Sequence, residues 1–440
     1  MRCRKFVIAM LLSSMGTLGV MAQQSPLKLT LEDALEIALS ENPTIMVADQ
    51  EITKSQYAKK GSYAALFPTI DASASYQRTI QKQAMYMNMG GESTKITIGQ
   101  DNNWQAGVTA TAPLVSVALW KSLAISGMNV ELAIEQASSS RIDLIEQVSN
   151  AYYGILLASD SYNVFKEAYD NAVENYKNVE QKYNVGTTSE YDLIRADVAV
   201  KNAEPDLYSA QNAIELGEWQ LKALLGIDLD QEIECSGSLS DYKTFIQPNK
   251  NTLSLQNNST LKQLEIQGRQ LDKALEVTRA ANLPTLALSF SYSYSAMNDD
   301  FKISSYEWIP YSVAGLSLSI PIFAGGKRRS DVAQAKINID QFELQRTDAE
   351  RSLKVAMSQA VDNINTAIKQ YAAAASSVEQ AEKGYNIAVR RYEIGGGTQL
   401  EVNDSQLALT QARLYMNQAA YSYMIAQTSL AKLTGETSKF

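Results

Sequence analysis

The sequence predicts a mainly α chain with a four-stranded antiparallel β contribution, built as two internal structural repeats. Three observations carry this. Residues 118–184 contain no proline, and one helix of that length runs about 100 Å at 1.5 Å per residue. A seven-residue rhythm sets Tyr162, Tyr169, Tyr176 and Tyr183 on a coiled-coil seam with Phe165, Ala172 and Val179, and it returns 209 residues later at Tyr371, Val378, Tyr385 and Tyr392. Four short segments alternate apolar and polar side chains, the period of strands with two unlike faces.

Composition narrows the class. Arg2, Arg4 and Lys5 precede an apolar run from Phe6 to Val20, then Val20-Met21-Ala22, the layout of a secretory signal over residues 1–22. The run is too short for a membrane anchor, and no Cys follows the cut to accept lipid. Cys3 leaves with the signal, so Cys235 has no partner for an internal disulfide. Acidic residues number 48 against 39 basic ones, a balance that disfavours nucleic acid and anionic membranes as partners. No later segment reads as a transmembrane helix, so a membrane crossing has to use strands.

The first repeat occupies residues 23–226. Thr30 and Asp33 form a capping box for a short helix to about Ser40, and Asn42 caps a second, with Pro43 in its first turn, to about Leu66. Past Pro68 the period becomes two: Ile70, Ala72, Ala74 and Tyr76 alternate with Asp71, Ser73, Ser75 and Gln77 in a strand over about 68–78. Residues 79–102, with Met85, Met87, Met89, Gly90 and Gly91, show no clear period and read as a long loop. A second strand over about 103–113 sets Trp104, Ala106 and Val108 against Gln105, Gly107 and Thr109, and stops at Pro113. The long helix follows at about 118–184. Gly186 suits a left-handed helix end, Ser189 with Asp192 caps a returning helix at 191–225, and Pro205 predicts a kink within it.

Residues 227–258 are polar and irregular, a connector between the copies. The second repeat, 259–435, replays the order: Leu283-Pro284-Thr285-Leu286 lies 216 residues after Phe67-Pro68-Thr69-Ile70. Its strands fall at about 285–296 and 311–321, the latter slipping in phase near Gly315 as a bulge would. A second long helix spans about 326–393, Gly395, Gly396 and Gly397 turn the chain, and Thr398 with Glu401 caps the returning helix at 399–433. Residues 436–440 form a short tail.

Four strands cannot close a transmembrane barrel, and an open edge in lipid leaves several kcal/mol of unmet hydrogen bonding per group. Closure therefore calls on other copies. Two chains supply eight strands and three supply twelve, and the small Ser, Thr, Ala and Gly side chains of the polar face suit an open lumen and favour three.

The stretch from Leu318 through Pro321 and Phe323 to Gly325-Gly326, and Tyr392-Glu393-Ile394-Gly395 with Glu401-Val402, give the chain a clear family likeness. It resembles the TolC-like outer-membrane efflux proteins from about Leu29 to Gly435, departing at Pro113-Leu114-Val115-Ser116-Val117, which lacks their Phe-x-Gly-Gly pattern. The resemblance implies a homotrimer with a shared twelve-stranded barrel in the outer membrane and an α-barrel tunnel through the periplasm. It implies a periplasmic adaptor and an inner-membrane transporter as partners, exporting small toxic compounds, drugs or, in some members, proteins.

Two groups of residues then become candidates. Tyr183, Gly186 and Asp192 at the first hairpin, and Tyr392 and Gly395 at the second, match the family's tip motif and imply contact with the adaptor, although any helical hairpin needs a Gly turn and a cap. Glu401 and Asp404, three apart on one helix face, match two acidic positions that narrow the tunnel in the family. Three chains would gather six such carboxylates, favouring cations or protonation. Glu401 also has a plainer role in its capping box. The tyrosine stripe reads as seam packing, and Tyr76, Trp104, Tyr292, Tyr294, Trp308 and Tyr311 suit an aromatic girdle.

With no His in the chain, His-based catalysis and His metal sites are excluded; no metal, cofactor or enzymatic activity is expected. Gly325-Gly326-Lys327 lacks P-loop spacing. The alternative is an exported coiled-coil scaffold or adhesin, which accounts for the helices and leaves the two-faced strands without a purpose.

Overall fold

The computed structural model describes residues 27–89, 92–242 and 253–436. The signal at 1–22, Gly90-Gly91, Pro248 of the connector and tail residues 437–440 lie outside them. In the first repeat the order is β1 (Leu27–Leu29), α1 (Leu31–Glu41), α2 (Pro43–Ala64), β2 (Thr69–Arg78), β3 (Gln83–Met89), β4 (Glu92–Ile98), β5 (Asn102–Val115), α3 (Val117–Asn184) and α4 (Glu190–Leu225). After β6 (Ile233–Cys235) come α5 (Ser259–Ala280), β7 (Thr285–Asn298), β8 (Ile309–Ser319), α6 (Lys327–Glu393) and α7 (Gln399–Thr434).

Helix lengths set the architecture. α2 and α4, of 22 and 36 residues, both pack along the 68-residue α3, while α5 and α7 repeat the arrangement along α6. One asparagine makes each joint. Asn42 Oδ1 accepts from the Thr44 N–H at 2.7 Å, capping α2, while its Nδ2 donates to the Leu224 carbonyl at 2.7 Å in the last turn of α4. Asn258 does the same in the second copy, accepting from the Leu261 N–H at 3.1 Å and donating to the Leu433 carbonyl at 2.9 Å. Gly226 and Gly435 end α4 and α7 at φ 75° and 72°, and a Cβ there would lie 2.6 Å from the Glu41 carbonyl oxygen and 2.5 Å from that of Asn257.

The main core surrounds the first joint, midway along the long helices. Leu144, Val148, Tyr152 and Leu156 of α3 meet Ala34 and Leu35 of α1, Leu221 and Leu225 of α4, and Val361 and Ile364 of α6. The Tyr152 hydroxyl lies 3.1 Å from the Leu29 carbonyl and 2.5 Å from that of Ser236, so it ties this core to the parallel β1–β6 pair. Burial pushes its phenol up to about 12.

The strands form one antiparallel sheet ordered β2-β5-β7-β8. On one face Ile70, Ala110 and Phe290 line up in register; on the other Asp71, Thr109 and Ser291 do. Gly107 is needed where β5 meets β7, because a Cβ there would fall 2.7 Å from that of Ser293. The edge strands are bare: every residue of β2 is exposed, and so is all of β8 except Gly315.

Five expectations need correction. Residues 79–102 are not a long loop, since β3 and β4 pair with each other as a hairpin that stands apart from the main sheet. No bulge occurs at Gly315, which pairs regularly with Ser289; β8 instead puts Tyr311 and Val313 opposite Ser293 and Ser291, which an edge strand open on both faces tolerates. The register shift lies between Pro113 and Val115, where proline has no N–H for the ladder, and the strand continues past it. The connector is not wholly irregular, for it holds β6 and a short 3₁₀ turn at Leu239–Tyr242. Finally, α3 is long and apolar enough by composition to cross a membrane, with an 18-residue window of mean hydropathy 1.2. A span takes only about 20 residues, and Glu131, Arg141, Asp143 and Glu146 follow at short intervals along this helix. Pro205 lies inside α4, which stays helical on both sides of it, as a kinked helix does.

Candidate channel tip and constriction

The two hairpin turns have the same construction. At the end of α3, Gly186 (φ 76°) donates to the Tyr183 carbonyl at 2.9 Å, and Thr187 donates to that of Lys182 at 2.8 Å. At the end of α6, Gly395 (φ 75°) donates to the Tyr392 carbonyl at 3.2 Å, and Gly396 to that of Arg391 at 2.8 Å. Both are Schellman closures, which explains the glycines. Each next helix begins with a reciprocal capping box. The Ser189 hydroxyl donates to Asp192 Oδ2 at 2.7 Å, and that hydrogen bond, helped by those from Thr188 and the Ser189 N–H, holds the Asp192 carboxyl below its usual value. Glu401 Oε2 accepts from the Thr398 N–H at 3.2 Å, and the Glu401 N–H donates to Thr398 Oγ1 at 3.3 Å.

The tips touch each other unequally. Lys182 Nζ sits 4.1 Å from the centre of the Tyr392 ring, linking the first hairpin to the second. Arg391 stays with its own turn, donating to the Gly396 carbonyl at 3.0 Å and lying 3.8 Å from Glu401 Oε2. Tyr392 is thereby half-buried; burial, and then the Asp192 charge, raise its phenol. Tyr183 is 39% exposed, and nothing lies within 4 Å of where a Cβ would stand on Gly186 or Gly395.

Glu401 and Asp404 part company. Glu401 is engaged by its cap and Arg391, whereas Asp404 is exposed on a groove of about 420 Å³ between the two hairpins. Asn171, Arg195, Asp206, Asn403 and Gln406 share that groove. Within it α7 is pinned to α3 by Asn171 Nδ2 donating to Gln406 Oε1 at 3.2 Å, and beyond it by the Arg413–Glu167 ion pair. Sequence reasoning missed Lys182, Arg391 and Arg413; the first two occupy one position of the 209-residue repeat, a cation in the last turn of each long helix, and that signal was available.

The profile of the outer membrane efflux protein family matches residues 34–227 and 252–436, one block on each repeat. The chain belongs to the outer membrane efflux protein family. It is similar to the outer membrane protein TolC of Vibrio cholerae, 23% identical over 393 residues covering 87% of this chain and 85% of that one. It is also similar to the solvent efflux pump outer membrane protein SrpC of Pseudomonas putida, 24% identical over 414 residues covering 91% and 84%. Among solved structures, the CmeC outer membrane channel of Campylobacter jejuni superposes with a TM-score of 0.74 at 23% identity, covering 92% of this chain and 85% of that one. This outer membrane efflux protein thus has the fold of a channel with a helical tunnel and a β-barrel, and its place is the outer membrane. The family is one of transport proteins, and membership sets aside the exported scaffold or adhesin.

Proposed function

We propose that three copies assemble into one twelve-stranded barrel and a periplasmic tunnel, which joins a periplasmic adaptor and an inner-membrane transporter to export drugs and other small toxic compounds. The observation that carries this reading is the pair of bare edges, β2 and β8, on a sheet of four strands. Lipid offers their N–H and C=O groups no partner, so each edge has to meet the opposite edge of a neighbour. Three copies put the serine-rich face around a lumen and the face of Ile70 and Phe290 toward lipid. The protein then needs no catalytic group or cofactor, because the transporter supplies the energy.

In this assembly the hairpin turns at Gly186 and Gly395 face the adaptor with Tyr183, Asp192 and Tyr392. Asp404, supported by Glu401, contributes to an acidic constriction of the tunnel. Extraction tests the reading. The protein should stay with outer membranes through a salt wash, leave them in detergent, and run at three times the mass of one chain. Release by salt, or a monomeric particle with unchanged conductance, overturns it.

A further inference from the structure

The β3–β4 ribbon is left over by the channel function. It pairs only with itself, and Lys82 at its foot is clamped between Asp101 Oδ1 at 3.1 Å and Asp299 Oδ1 at 2.6 Å, so the ribbon stands off the end of the sheet remote from the helices. A two-stranded ribbon has little stability alone. Its sequence is Met85-Tyr86-Met87-Asn88-Met89, so three of the chain's 13 methionines fall within five residues. Methionine is usually a buried residue. Here Met85 and Met87 are 47% and 42% exposed.

Alternation places Met85 and Met87 on one face of β3, about 6.6 Å apart along the strand. Ile96 is the register partner of Met85 on β4, and Lys95 pairs with Tyr86, one position out of phase with the two methionines. Each thioether ends three rotatable bonds, enough to bring two sulfurs to one ion. Thioethers are soft donors that select Cu(I) over the harder divalent metals. We propose that the β3–β4 ribbon binds one soft monovalent metal ion, Cu(I) or Ag(I), between the sulfurs of Met85 and Met87. The expectation of no metal site rested on the absence of His, and thioethers stand outside that reasoning. Two features of the chain make the site testable. It has no His, and the Cys235 thiol is half-buried, with burial pushing it up to about 12.

The test is titration of the purified full-length protein in detergent with Ag(I) in chloride-free buffer, read by calorimetry and by the 13C-methyl signals of its methionines. One equivalent per chain should bind, shifting the Met85 and Met87 methyls. Met85→Leu with Met87→Leu keeps the apolar face and removes both sulfurs; it should weaken binding more than about tenfold, whereas Cys235→Ser should not. Equal affinity in the double variant, loss of binding in Cys235→Ser, or no retained Ag(I) in the wild type overturns the proposal. A double variant that binds like the wild type would leave the ribbon a packing surface alone. The particle mass of each variant, read before titration, separates a lost ligand from a lost assembly.

Discussion

Lys182 at the end of α3 lies with its ammonium 4.1 Å from the Tyr392 ring centre, while Arg391, its counterpart in the second repeat, turns back on its own hairpin. One repeat thus reaches across and the other braces itself. Such a contact contributes about 0.5–2 kcal/mol, according to how far it is desolvated.

Lys182→Met keeps the apolar stem and deletes the charge. In planar bilayers this variant should open more often or conduct more than the wild type, and Tyr392→Leu should act in the same direction. Wild-type conductance and open probability in both would remove the tie from the gate.

Asp404 and Glu401 should separate in their effects, because only Asp404 borders the groove. Asp404→Asn should cut cation selectivity, measured as a reversal potential under a salt gradient. Glu401→Ala should remove the N3 half of the Thr398 capping box and show as faster proteolysis at the tip. An unchanged reversal potential in Asp404→Asn combined with Glu401→Ala would count against an acidic ring.

Gly226→Ala and Gly435→Ala both put a Cβ into a carbonyl at 2.6 and 2.5 Å and force φ near +75° on a residue that resists it. The left-handed conformation alone costs about 1–2 kcal/mol, and the clash adds to it. Each variant should melt several degrees lower with its secondary structure intact. Two variants as stable as wild type would mean that the joints are looser than drawn.

Acid should loosen one tie between α5 and α3, which Arg269–Glu131 and Gln270–Asn129 also join. Hydrogen bonds from Lys121 at 2.7 Å and Lys273 at 2.8 Å hold the Glu276 carboxyl down to about 2, from an ordinary 4.5. A folded-state value below the unfolded one contributes stability that is present above pH 4.5 and fades as pH falls toward 2. Glu276→Gln should flatten stability across that window. An identical acid limb in the variant would show the pair to be idle.

Most of the architecture was legible because its signals are local and repeated. Thr30, Asn42, Ser189 and Thr398 announce their helices through caps a few residues long, and the structure has a hydrogen bond at each. The ribbon escaped notice because Ala84 and Tyr86 blur the alternation of Met85 and Met87, so neither face looks polar. The bulge was misplaced because phase on an edge strand reports nothing about register: Tyr311 and Val313 can face either way without penalty. At the tip, the glycines and caps were readable, but which way Lys182 turns depends on Tyr392, 210 residues away. The double use of Glu401 was visible as two alternatives, and the position of Arg391 beside it was not.

The unpaired margins of the sheet also bear on inheritance. If each pore is shared by three copies, as proposed, a cell making sound and defective chains in equal amount and mixing them at random keeps only about one pore in eight free of the defect. A lesion in β2 or β8 that still permits assembly would therefore act dominantly, while one that keeps its chain out of the assembly would pass almost unnoticed.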